Sequence, residues 1–306
     1  MSSSTTSFRH YLGAFCFAMI TVGAVAVVAT EMLVRFGVEP NRNIFQHVAF
    51  VKRVETSCGA FGDSHTALGF AGTDRCANLG YPGERFDDTA GKLELLSPNR
   101  LPQQIILQAD PLMFSPRRLE AGPSFHMNYL TDTAGTALRI RDPLHTPLLI
   151  RYWRTAILKQ GFTPVFAFHP NGWMAFDERW EQVSPSERDI KAAKEVGEQR
   201  PVRNFATHAT ATRFEDVLAE LRTSGRDVCV VTYPMSHEFT TKARLNPSFS
   251  AALAFFEASA RDGGAAYIDL LDWRKHDPRF FANPDHLNID GARAFTSDVL
   301  RACGFE

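Results

Sequence analysis

The sequence predicts an α/β fold on a mostly parallel sheet of five strands, preceded by one membrane-spanning helix. Three observations predict it. Short apolar runs alternate with helical patterns along the chain. Those runs are nearly continuous in apolar residues, which suits strands buried on both faces of a parallel sheet. Near the start, residues 11–30 form an uncharged apolar stretch about as long as the ~20 residues that span a bilayer.

Across 306 residues the chain is 44% hydrophobic, enough for a sizeable core in one large domain or two small ones. Its net charge of -1 and the lack of a basic run give no footprint for a nucleic-acid partner. No Gly-rich phosphate loop and no metal-ligand spacing occurs, so neither a cofactor nor a metal is expected.

The elements follow in order. After a polar tail, residues 1–10 with Arg9, the run YLGAFCFAMITVGAVAVVAT from Tyr11 to Thr30 is continued by Met32, Leu33, Val34 and Phe36. Ala24-Val25-Ala26 offers a small-x-small cleavage site, so a signal peptide competes with an anchor. The length of the run favours an anchor over 11–36. Arg9 is outnumbered downstream by Arg35, Arg42, Lys52 and Arg53, and the positive-inside rule alone leaves the body cytoplasmic. A linker over 37–54 leads to one domain over 55–306.

Five strands are expected at 56–61, 76–79, 104–108, 227–233 and 265–271. Between them, Phe214, Val217, Leu218 and Leu221 follow helical spacing, as do Phe249, Leu253 and Phe256. A last helix begins after Asn288 or Asp290, either of which can cap it, and buries Phe295 and Val299. An insertion over about 115–204 interrupts the alternation. It carries HPNGW at 169–173 and FDERW at 176–180, and it reads as a cap beside the site or as a peripheral packing element.

In such sheets the ligand crevice lies at the carboxyl ends of the strands. Gly62-Asp63-Ser64-His65 follows directly on the first strand and opens a helix. Ser64 is thereby exposed at the strand end, beside backbone N–H groups suited to an oxyanion. Serine needs a base. Asn283-Pro284-Asp285-His286-Leu287-Asn288, in the loop before the last helix, supplies His286 beside a carboxylate.

These blocks resemble the SGNH/GDSL hydrolase superfamily over residues 55–303, the insertion excepted. The resemblance implies a flavodoxin-like three-layer sandwich, with Ser64 as nucleophile and His286 as base. NLGYPGE matches the second block, which makes Gly83 the oxyanion glycine and Gly80 the tight-turn residue. The oxyanion hole then consists of the Ser64 and Gly83 N–H groups. Two departures stand out. Asp110, in LQADP, occupies the place of an oxyanion asparagine, where a carboxylate would oppose an oxyanion. Asn283 occupies the place of the aspartate that orients the histidine. Asp285 is the preferred orienting partner and Asn283 the alternative. Asp63, His65, Asp110 and His237 are the candidate substrate contacts; His65 is expected at the rim of the site and His237 at its active end. His169 and Trp173 offer a surface for stacking on a sugar.

The family's anchored members imply acyl transfer or ester hydrolysis on a cell-envelope polysaccharide, beside a multi-pass membrane acyltransferase. That function places the domain on the periplasmic side of the inner membrane. Two rivals remain: a non-catalytic subunit of a polysaccharide assembly, and an anchored lipase with an acyl groove built from Trp173, Met174, Phe176 and Trp180. Among the five cysteines, Cys58 and Cys76 start neighbouring strands and are either a disulfide or two buried thiols. Cys229 is expected as plain core.

Overall fold

The computed structural model describes residues 4–33, 43–96, 99–119, 127, 130–131 and 166–306. Residues 37–42 of the expected linker and most of 120–165 in the expected insertion lie outside them. In chain order the elements are α1 (Ser4–Leu33), α2 (Asn43–Val51), β1 (Cys58–Phe61), α3 (Ser64–Gly69), β2 (Cys76–Asn78), α4 (Phe86–Leu96) and β3 (Gln104–Gln108). After these come β4 (Ala167–Phe168), β5 (Met174–Ala175), α5 (Pro185–Glu198), α6 (Ala209–Thr223) and β6 (Asp227–Thr232). The chain continues with α7 (His237–Ala243), α8 (Pro247–Asp262), β7 (Ala266–Asp269) and α9 (Ile289–Cys303).

Two compact units result, one holding α1 and the first residues of α2, the other containing every described element from β1 onward. In the first, His10–Met32 is a 23-residue stretch long and apolar enough to cross a membrane. At ~1.5 Å per residue it spans roughly 35 Å, against a hydrocarbon core of about 30 Å.

The second unit is built on a five-stranded parallel sheet in the order β2-β1-β3-β6-β7. Register runs from Cys58 opposite Cys76 and Gln104, through Gln104 opposite Asp227, to Cys229 opposite Ala266. Because side chains alternate, this register sends Cys58, Ala60, Ile106, Cys229 and Val231 to one face. There they pack with Phe295, Val299 and Leu300 of α9. Ile105, Leu107 and Val230 point to the other face, where α4, α6 and α8 pack against one another and against the sheet. The central strands are covered on both sides, which is why the middles of their sequences are apolar. Edge strand β7 is half exposed and ends at Asp269, two residues short of the expected limit.

Two disulfides cross-link this unit. Cys58–Cys76 joins the in-register residues that begin β1 and β2. Cys229–Cys303 ties β6 to the end of α9, so Cys229 is not plain core as expected. Its partner lies 74 residues away, and only the docking of α9 over β6 brings the two together.

Within the insertion, β4 and β5 form a small antiparallel hairpin. Its turn packs on the main sheet: Asn78 N–H donates to Asn171 O at 2.8 Å, and a Cβ on Gly172 would meet Asn78 O at 2.1 Å, so only glycine fits. The Trp173 indole donates to Leu68 O at 2.9 Å, and His169 stacks on its ring. With Trp173 3% and Trp180 1% exposed, Met174 fully buried and Phe176 half-buried, most of the side chains expected in an acyl groove are core, and Trp173 offers no open face to a sugar. Helix α5 starts in a capping box, Ser184 with Glu187, followed by Pro185 at its first position. It is fixed to α7 by Arg188–Glu238 and Lys242–Asp189 ion pairs.

Candidate active site

Three connections at the carboxyl ends of the strands build the site. The first follows β1. Gly62 passes so close to Gln108 that an added Cβ would lie 2.2 Å from its Oε1, which requires glycine. Asp63 then caps α3, accepting from His65 N–H at 2.9 Å, and Ser64 is the first helical residue. The second connection follows β2 and is stitched to the first: Leu79 N–H donates to Ala60 O at 2.7 Å and Tyr81 N–H to Gly62 O at 3.1 Å. Its Gly83 adopts φ +86°, a left-handed conformation that favours glycine. Among the described residues, no group accepts a hydrogen bond from the Ser64 or Gly83 N–H. The third connection, between β7 and α9, carries His286. Asn288 caps α9 by accepting from Gly291 N–H, and its amide also donates to Arg279 O and Phe281 O.

Ser64 and His286 meet across 222 residues of sequence: His286 Nε2 lies 2.8 Å from Ser64 Oγ. On the other side of the ring, Nδ1 is 3.0 Å from Asn283 Oδ1 and 3.0 Å from Asp285 Oδ1. Both expected partners therefore face the same proton. Asn283 also accepts from the Asp285 and His286 N–H groups at 3.1 and 2.9 Å, which folds the loop so that adjacent residues converge on one ring. The second Asp285 oxygen accepts from Gln199 Nε2 at 2.9 Å, at the end of α5. Burial pushes the Asp285 carboxyl up, but the charges of His286 and His65 and the hydrogen bonds of His286 and Gln199 hold it down at about 2.

Three expected substrate contacts are inward-facing instead. Asp110 is 1% exposed; Oδ1 accepts from Tyr233 N–H at 2.9 Å and Oδ2 from Gln108 Nε2 at 2.8 Å. It does not replace an oxyanion donor, because both its oxygens accept hydrogen bonds within the fold. Burial pushes its carboxyl up to about 7, against the opposing charge of His65. Asp63 is bound on one oxygen by His65 and Gln108 and on the other by Arg118 at 2.8 Å. Burial pushes Asp63 up as well, but Arg118 and His65 hold it far below the usual carboxylate range. His65 does not line the rim: it is 3% exposed and its ring stacks on that of His286. His237 begins α7, where Ser236 N–H reaches Pro284 O, but its own ring is exposed and packs on His276.

Gln108, Arg118 and Gln199 complete the site without having been singled out in the sequence. Gln108 Oε1 accepts from Asp63 N–H, Thr66 N–H and Thr66 Oγ1, while its amide joins Asp63 to Asp110. Its place at the end of a central strand was the available signal. Arg118 also donates to Glu84 O, linking the nucleophile turn to the Gly83 turn. Gln199 comes from the insertion, where nothing in the sequence marks it.

His65, Asp285 and His286 bring three potential ligand atoms within 4.8 Å of one another. The two imidazole planes lie 14° from parallel, so they cannot both aim a lone pair at one ion. The arrangement suits a hydrogen-bond chain. Beside His286 opens a cleft of about 580 Å³, walled by Asp177, Arg179, Gln182, Lys191, Lys194 and Glu195. Its lining mixes these charged and polar groups with apolar Trp180, Val183, Ala282 and Pro284.

No protein-family model matches the sequence, and no curated protein matches it. Among solved structures the chain is similar to a catalytic mutant of Axe2, an acetylxylan esterase from Geobacillus stearothermophilus, at TM-score 0.40 and 12% identity, covering 83% of this chain and 97% of that one. It is also similar to an α/β hydrolase from the metagenome of Lake Arreo, Spain, at TM-score 0.38 and 12% identity, covering 82% of this chain and 97% of that one.

Proposed function

We infer that this chain is a serine esterase or O-acyltransferase of the SGNH/GDSL type that works through an acyl-Ser64 intermediate. The observation that carries the reading is the chain of contacts from Ser64 Oγ to His286 Nε2 at 2.8 Å, and from His286 Nδ1 to Asp285 and Asn283 at 3.0 Å. His286 takes the Ser64 proton as Oγ adds to an ester carbonyl. The oxyanion of the tetrahedral intermediate is met by the Ser64 and Gly83 N–H groups. His286 then returns the proton to the departing oxygen, leaving acyl-Ser64. Water or an acceptor hydroxyl, deprotonated by His286, attacks the acyl group and frees the serine.

The charged side chains in the cleft beside His286 favour a hydrophilic acceptor or leaving group, such as a cell-envelope or exopolysaccharide. Two disulfides suit an oxidising compartment and favour an extracytoplasmic position for the second unit, with α1 as a single-pass anchor in the inner membrane. Such a position allows a multi-pass membrane acyltransferase to serve as acyl donor partner.

The test treats the full chain in detergent micelles with an aryl acetate and with a fluorophosphonate probe, alongside Ser64→Ala. Acetate release and labelling by the wild type alone support the reading, and transfer to an added oligosaccharide makes the protein a transferase. Equal inertness of both proteins refutes it in favour of a non-catalytic scaffold. A preference for long-chain over acetyl esters favours the lipase.

A further inference from the structure

His65 takes no part in these proton transfers, yet it lies buried against the base. Its ring centroid is 4.9 Å from that of His286. Carboxylates from three separate segments face it: Nδ1 is 3.2 Å from Asp63 Oδ1 and 3.3 Å from Asp110 Oδ2, and Nε2 is 3.9 Å from Asp285 Oδ2. A neutral imidazole carries one proton. Placed on Nδ1, that proton leaves a lone pair facing Asp285. Placed on Nε2, it leaves a lone pair against Asp63 and Asp110. Only the doubly protonated ring presents a donor to both ends. Nε2 has no hydrogen-bond partner of its own, so its proton is directed to Asp285 by charge alone.

We propose that His65 is a positioning residue: a buried imidazolium that balances Asp63, Asp110 and Asp285 and holds the Asp285 carboxylate in place for His286. The proposal rests on the reading of Ser64 and His286 as nucleophile and base. Burial works against the charge, but Asp110 and Asp63 raise the proton affinity of His65 to about 9. Around it stand Asp63 on its own turn, Asp110 after β3, Tyr233 after β6, and Asp285 and His286 before α9. Arg118 sits behind Asp63, and Glu195 of α5 behind Asp285; burial, then Asp285, push the Glu195 carboxyl up. When the His65 proton leaves, Nε2 turns a lone pair toward Asp285 and the carboxylate loses its buried counter-charge. Activity that needs Asp285 in place then falls on the alkaline side, where a site governed by His286 alone would stay level.

The experiment uses the full chain in detergent micelles. Fluorophosphonate labelling of Ser64 and aryl acetate turnover are followed against pH for wild type and His65→Asn, and the histidine ring nitrogens of the wild type are followed by 15N NMR. We expect wild-type rates to fall through pH about 9. His65→Asn should be slower by roughly 10- to 100-fold, the loss of one interaction with a charged group, and should lack the alkaline fall. One wild-type histidine should keep both ring protons at about pH 8, where an ordinary histidine is neutral. An alkaline fall that persists unchanged in His65→Asn overturns the proposal. So does a wild-type spectrum in which every histidine is neutral at about pH 8. The spectrum decides the charge of His65 even where His65→Asn does not fold. A wild-type Ser64 that resists labelling refutes the proposed function instead, a failure seen in a different signal.

Discussion

Asp285→Asn and Asn283→Ala separate the two groups that hold the base. Asp285 and Asn283 lie at the same 3.0 Å from His286 Nδ1 and differ in charge, not reach. Asp285 is 2% exposed and, held down at about 2, is a carboxylate throughout the working pH range. A hydrogen bond to a charged group contributes about 1.5–3 kcal/mol and a neutral one about 0.5–1.5 kcal/mol. With each ~1.4 kcal/mol worth a factor of ten, Asp285→Asn should lower kcat/KM roughly 10- to 150-fold, and Asn283→Ala roughly 2- to 13-fold through the ring. Asn283 also accepts two backbone N–H groups of its own loop. Its removal should therefore cost stability as well, on the order of 1 kcal/mol per bond. Aryl acetate kinetics and urea unfolding of the same preparations give both quantities. Because either acceptor can still serve the Nδ1 proton when the other is gone, the double variant should lose more than the sum of the two. Were Asn283→Ala the more damaging change in kcat/KM, with an unaltered urea midpoint, the assignment of Asp285 as the principal partner would be wrong.

Three further outcomes follow from the fold. By the chain-entropy relation, the Cys229–Cys303 bridge, 74 residues apart, contributes ~4.4 kcal/mol, and the Cys58–Cys76 bridge, 18 apart, ~3.2 kcal/mol. Paired Cys→Ser variants should lower the urea midpoint in that order, and the reverse order would count against it. Lys92 and Glu84 form a buried pair at 2.6 Å, so Lys92→Met should destabilise by about 3–5 kcal/mol in urea unfolding, with Glu84→Gln added to it recovering most of the loss. His65 has its proton affinity raised from 6.5 to about 9, so the stability its charge supplies is complete below pH 6.5 and lost as pH rises through about 9. The difference in urea midpoint between wild type and His65→Asn should shrink across that window, and a difference that grows would contradict the charge assigned to His65.

Much of the fold was legible because its signals are local. Strands β1, β3 and β6 are buried on both faces and announce themselves by apolar middles such as Ile105-Ile106-Leu107 and Val228 to Val231. Ser64 is legible from the strand and glycine before it, and His286 from a loop of six contiguous residues ending in the Asn288 cap. What escaped depends on distance in sequence. Cys229 meets Cys303 only because α9 lies over β6. The aromatic residues of 173–180 suggest an exposed surface, but the hairpin turn tucks Trp173 beneath α3, and Trp180 N–H pairs with Phe281 O in the closed interior. Gln199 reaches Asp285 across 86 residues, from a segment where no local pattern marks it. The place of His65 is hidden from the sequence for a related reason. Beside a nucleophile a polar residue is expected to face substrate, and only Asp110 and Asp285, converging from elsewhere to join Asp63, explain its burial.

Asp110 has a bearing on how this site can change over generations. It stands where the related pattern has asparagine, and taken alone it resembles the mark of a site that has lost its purpose. Its surroundings argue otherwise: one oxygen holds Tyr233, the other holds Gln108, and His65 supplies the opposite charge. An asparagine at 110 alone would turn an amide toward a charged ring or strand the Tyr233 N–H, and a neutral residue at 65 alone would deprive the buried Asp110 carboxyl of the opposite charge it faces. Each single step leads through a less stable protein, so positions 65 and 110 are expected to be inherited together. Lineages should carry either His with Asp or a neutral residue with Asn, with mixed pairs rare.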